Sequence, residues 1–128
     1  MGRMSSQAPV EVQHKAILFT INQLYRDDMT PLELYEATRG IWRIGPRREQ
    51  ADYAMAVFQG IVREVYRIDR WYPAGTLEYE TRDDAGFKYN DPPRWEFSGE
   101  VADDIRGQYV GCYVGRGYQH AFLYKNIR

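Results

Sequence analysis

Between Leu34 and Pro73, arginine is interleaved with large aromatics: Tyr35, Arg39, Trp42, Arg43, Arg47, Arg48, Arg63, Arg67, Arg70 and Trp71. Guanidinium forks bind phosphate and carboxylate, and flat aromatic faces stack on bases, so these residue types in one block point to a nucleic-acid or nucleotide surface. In that reading Arg39, Arg43, Arg47, Arg48 and Arg63 hold phosphates or base edges, and Trp42 or Trp71 stacks on a base. Each such stack is worth roughly 1–3 kcal/mol, enough to matter in a small site. The bland alternative makes the aromatics core and pairs the arginines with Glu33, Glu36, Glu49 and Glu64. A rival function uses the same residues as a protein-interaction hot spot, where Trp, Tyr and Arg also dominate.

Glu64 falls inside the same block, on the side of Val62, Tyr66 and Ile68 if its strand is regular. Leaving it buried and unpaired would cost several kcal/mol, so the expectation is a structural ion pair with an arginine such as Arg39. Beside a ligand it would orient an arginine or accept from a base, and in a third reading it serves a small nucleotide-processing enzyme. Gly107, Gly111, Gly115 and Gly117 with Arg116 could cradle a phosphate, but they match no phosphate-loop pattern, and turns and bulges explain them better. Cys112 and His120 lack an orienting acid between them. Two histidines and one thiol are too few for the usual zinc ligands. No catalytic residue, metal or cofactor is expected.

The whole chain is nearly neutral at −1, so no global field draws it to polyanions, but its charge is segregated. Residues 39 to 70 carry seven Arg against four acids, while residues 76 to 105 carry nine acids against three bases. Of the 17 basic residues 14 are Arg, a bias toward rigid forks over mobile ammonium groups. A single cysteine fits a reducing compartment, no signal peptide is legible, and a cytoplasmic location follows as the default expectation.

The elements that must position these groups read as an α+β domain over residues 14 to 128, after a flexible tail at 1 to 13. Lys15 to Asn22 reads as a strand, and Thr30, Pro31 and Glu33 predict a capped helix that stops near Gly40. Tyr35, Arg39 and Trp42 then share a helical stripe. After a turn of helix at RREQA, Tyr53 to Phe58 and the IVREVYRIDRWY run pair as a hairpin. An acidic connection follows from 73 to 94, with a short ribbon at Leu77 to Thr81. Arg94 to Val101 alternates as a half-buried strand, with Trp95, Phe97, Gly99 and Val101 on one face and Arg94, Glu96, Ser98 and Glu100 on the other. Ala102 to Arg106 forms one helical turn, and Ala121 to Ile127 closes the chain as a strand. Five or six strands with flanking helices predict a small curved sheet or β-barrel.

The run LYEATRGIWRIGPRREQADYAMAVFQGIVREVY, with the later Arg94, Trp95 and Phe97, resembles a bacterial domain family of uncharacterised biochemistry, over most of residues 17 to 127. That family usually ends in a Gly-x-Gln-Asn-Pro-Ile-like segment, where this chain has GYQHAF. The layout also resembles the PUA-like superfamily (EVE, ASCH and YTH domains), small barrels with flanking helices that bind RNA or modified bases. That resemblance implies a pocket near Trp42, Trp71 and Trp95. The combined expectation is a non-catalytic domain that binds RNA, DNA or a nucleotide through Tyr35, Arg39, Trp42, Arg43, Arg63, Glu64, Trp71 and Trp95.

Overall fold

The computed structural model describes residues 8–21, 24–82, 93–115 and 120–128. Strand β1 (Ala16–Thr20) alternates between two apolar clusters, sending Ile17 and Phe19 to one and Ala16 and Leu18 to the other. Helix α1 (Pro31–Arg39) starts on the predicted capping box. The Thr30 hydroxyl accepts from Glu33 N at 3.1 Å, and the Glu33 carboxylate accepts from Thr30 N at 2.8 Å. Gly40 ends the helix and opens β2 (Gly40–Trp42) at once, so Trp42 stands on a strand and not on the helical stripe of Tyr35 and Arg39. A 3-10 turn (Pro46–Gln50) leads into β3 (Tyr53–Phe58), which is apolar throughout because both of its faces are covered.

Strand β4 (Ile61–Pro73) pairs antiparallel with β3 as the predicted hairpin, and β5 (Trp95–Val101) continues the meander. A short helix α2 (Arg106–Tyr109) and β6 (Phe122–Lys125) complete the fold. The six strands form one curled sheet, a half-barrel in the order β2-β5-β4-β3-β1-β6. Only β1 and β3 run parallel. Helix α1 packs over β3 and β5, while Ile105 and Tyr109, in and just before α2, join the second cluster. The fold is therefore a small α+β domain with a curved sheet.

Strict alternation fails at two bulges. The β3–β4 register slips between Ala56 and Val57, which makes Arg63 the extra residue. Val62 and Val65 consequently share one cluster and Tyr66 enters the other, so the regular face expected for Val62, Glu64, Tyr66 and Ile68 does not exist. The second slip lies between Ile68 and Arg70, opposite Gly99 and Ser98.

Residues 74–82 hold no ribbon; they fold back on α1 and β5, fastened by two buried carboxylates. Glu36 accepts from Glu80 N at 2.9 Å and from Thr81 N and Oγ1 at 2.7 and 2.6 Å. Glu96 accepts from Thr76 N at 3.0 Å, Leu77 N at 2.6 Å and the Tyr79 hydroxyl at 2.8 Å. Glu96, expected on the solvent side of its strand, is thus fully buried. Residues 83–92 of the acidic connection, with Asp83 and Asp84, lie outside the described residues. Of the N-terminal segment, Val10 N donates to Tyr113 O at 2.7 Å and Val12 is buried.

Candidate functional site

The 3-10 turn crosses the mouth of the curled sheet and ties its sides together. Arg47 donates to Ile127 O at 3.0 Å and lies over the Tyr124 ring of β6, 4.2 Å from its centroid. Next along the turn, Arg48 reaches the other way and sets its guanidinium carbon over the Trp95 indole of β5, 3.5 Å from the ring centroid. Gln50 adds a hydrogen bond to Arg128 O at 2.9 Å. Stacking of this kind is worth about 1–2 kcal/mol for a partly desolvated cation, and it restricts the guanidinium.

Two pairs of arginines stand close, Arg47 with Arg48 on the turn and Arg43 with Arg94. Burial pulls Arg48 below the usual arginine value despite nearby Glu49, and burial followed by repulsion from Arg43 does the same to Arg94. Burial pushes the Tyr124 hydroxyl up, while Arg47 and Arg48 pull it back. Arg43 and Arg47 are exposed, whereas Arg48 is only 8% exposed. The carboxylate that approaches is Glu49, 3.3 Å from Arg48 Nε, yet the angle makes no hydrogen bond. Arg48 Nη1 reaches Ile44 O at a long 3.4 Å. Among the described residues Arg48 therefore combines an ion pair with Glu49, a long hydrogen bond and the Trp95 ring, the pairing that a buried charge requires.

The three tryptophans lie on one sheet face, with Trp42 paired to Trp95 across β2–β5 and Trp71 to Phe97 across β4–β5. Their ring faces are mostly spent. Trp42 stacks on Phe19 at 4.6 Å and donates from Nε1 to Thr38 O at 2.8 Å. Trp71 packs edge-on against Phe97 at 5.2 Å inside the core, with no acceptor for its Nε1 among the described residues. Trp95 is half-buried and carries Arg48 on its face.

Other candidates fall elsewhere. The Tyr35 hydroxyl accepts from Gly99 N at 3.0 Å. Arg39 is buried: it lies 3.8 Å from Glu36, donates to Glu78 O and stacks on Tyr79 at 4.3 Å. Arg63 lies over Tyr25 and Phe58 at the hairpin end. Glu64 does form an ion pair, with Arg106 and not with Arg39, through bonds of 2.7 and 3.1 Å. Arg67 meets Asp104 at 2.7 Å beside a shallow 470 Å³ depression. Of the expected residues, the structure pairs Trp42 with Trp95 and sets Arg48 on Trp95, with Arg47 next to it on the turn; Tyr124 and Arg94, which were not expected, lie against Arg47 and near Arg43 respectively. The Pro-Pro-Arg-Trp run at 92–95 is a signal that could have linked Arg94 to the earlier block.

The Cys112 thiol donates to Gln108 O at 3.6 Å, and His120 is exposed. Gly111 and Gly115 have positive φ, as turns require, while Arg116, Gly117 and the start of the GYQHAF segment lie outside the described residues. Among the described residues no three His, Cys, Asp or Glu gather as a metal site would need, and no helix is long and apolar enough to cross a membrane. Comparison with known protein families, curated proteins and solved structures found no match to this chain.

Proposed function

We propose that this is a non-catalytic domain that binds nucleic acid chiefly through phosphates, on the face formed by Arg43, Arg47, Arg48 and Arg94. The observation that carries the reading is Arg47 and Arg48 side by side on one 3-10 turn, each guanidinium over an aromatic ring, Tyr124 and Trp95, with Arg43 and Arg94 near enough to repel one another. With Trp42 and Trp71 packed into the core, guanidinium planes braced on rings present themselves to a ligand in place of bare indoles. Contacts of this type position a strand without reading its sequence. The PUA-like analogy belongs to this proposal and rests on layout alone, a curled sheet with flanking helices.

The test is a titration of tryptophan fluorescence with single-stranded oligonucleotide over a range of salt. Four phosphate contacts release counterions with a slope near −3 in log K against log salt, about 50-fold between 50 and 200 mM. Replacing exposed Arg43 with alanine is expected to weaken binding to every sequence alike and to flatten the slope by roughly one. Absent or salt-independent binding would sink the reading.

A protein-interaction module is the second reading, favoured by one observation. Leu24 is 41% exposed at a 240 Å³ cleft lined also by Met29, Ala37, Arg26, Glu33 and Arg82.

A further inference from the structure

Independently of the binding reading, we infer that His14 is the pin of a pH-operated latch, which holds residues 8–13 on the core at neutral pH and releases them as the imidazole takes up a proton. The segment lies against α2 and the turn after it. Val10 N donates to Tyr113 O at 2.7 Å, and Val12 is 5% exposed in the cluster of Ile105, Tyr109 and Val114. Asn126 Nδ2 donates to both Val12 O and His14 O at 2.9 Å. The closing contact is the Tyr109 hydroxyl. Its oxygen accepts from Gln13 N at 3.1 Å and stands 2.6 Å from His14 Nδ1, while Tyr109 itself is 1% exposed.

The hydrogen atoms set the direction. The phenol oxygen takes the Gln13 N–H, so its own hydrogen goes to an acceptor, and the acceptor it meets is an unprotonated Nδ1. Protonation turns Nδ1 into a donor. The oxygen would then face two N–H groups, and its own hydrogen would lie buried without a partner, which is the costly case for a hydroxyl. Edge-on contacts with the Tyr53 ring at 5.3 Å and the Tyr109 ring at 5.6 Å hold the half-buried imidazole in place. No neighbouring charge offsets the change. Strand β4 contributes Arg67, 5.9 Å from the Tyr53 ring and bound to Asp104, and β6 contributes Lys125 opposite Ala16. On α2, Arg106 is paired with Glu64. Glu11, Lys15 and Asp52 are exposed, and among the described residues no carboxylate is paired with His14. Histidine is the side chain that ordinarily changes charge between about pH 5 and 8.

The experiment follows amide hydrogen exchange by NMR from about pH 7.5 to about pH 5, with each rate divided by the intrinsic rate at that pH. Protection at Val10 and Gln13 is expected to fall about tenfold or more, while Ala54 and Tyr66, paired across β3 and β4, keep theirs. His14→Asn places an amide near the Nδ1 position that does not titrate in this range, so the pH response of Val10 and Gln13 should vanish. Tyr109→Phe removes the hydroxyl and should leave the segment loose at both ends of the range. Should that core variant fail to fold, His14→Asn, at a half-buried position, decides. Unchanged protection at Val10 and Gln13 in the unaltered protein, a response that persists in His14→Asn, or a loss shared equally by Ala54 and Tyr66 overturns the latch.

Discussion

Replacing Glu36 with leucine is expected to cost about 3–5 kcal/mol of folding stability and to release residues 74–82 from helix α1. The side chain is 2% exposed and its two oxygens satisfy two backbone amides and a hydroxyl of that loop, with Arg39 at 3.8 Å. Leucine keeps the volume but removes every acceptor and strands the buried Arg39 cation. Chemical denaturation would read the loss, and hydrogen exchange at Glu80 and Thr81 would read the release. A loss under about 1 kcal/mol would show that the loop gains little from this carboxylate.

The same group sets an acid limit. Burial alone would raise the Glu36 pKa, but the hydrogen bonds from Thr81 and Glu80, with the Arg39 charge, outweigh it and hold the value below the usual 4.5. A carboxylate whose folded pKa is depressed stabilises fully above its unfolded value, and that stabilisation disappears as pH falls through the folded value. Stability should therefore decline below about pH 4.5, and Glu36→Gln should lose this part of the decline.

Gly99→Ala is expected to cost about 3 kcal/mol, read as a fall in Tm of about 10 °C. A Cβ at Gly99 would press into the carbonyl oxygen of Arg67 on the neighbouring strand, and backbone in the middle of a sheet cannot swing aside. The β4–β5 ladder would have to open at the bulge, taking with it the bond from Gly99 N to the Tyr35 hydroxyl. Gly45→Ala and Gly107→Ala are the controls, since a Cβ there meets nothing within 4 Å. Equal melting of all three variants would contradict the close approach.

Local signals were legible in the sequence where chemistry and consequence lie within a few residues. The Thr30 to Glu33 capping box, the β3–β4 hairpin and the presence of a strand at β5 are of this kind. Glu96 was misread because its burial depends on a loop some twenty residues earlier folding back, and alternation cannot register that. Arg63 broke the expected face because a bulge adds one residue without altering composition. The arginine block dispersed for a related reason. Arg39 turned inward to Glu36, Arg67 met Asp104 and Arg94, from outside the block, came near Arg43, while Arg47 and Arg48 reached β6 and β5 from the 3-10 turn. That grouping requires the sheet to curl until β5 and β6 both meet the 3-10 turn, a non-local fact with no signature in spacing.

The most direct test of the central claim is a two-dimensional NMR map of backbone amides, tryptophan indoles and arginine side chains during titration with a short single-stranded oligonucleotide. The account predicts that the largest shifts cluster at Arg43, Arg47, Arg48, Arg94, Trp95 and Tyr124, with the Trp42 indole responding weakly and Arg39 and Arg63 unchanged. Shifts confined to Leu24 through Glu33, or no shifts at low salt, would contradict it.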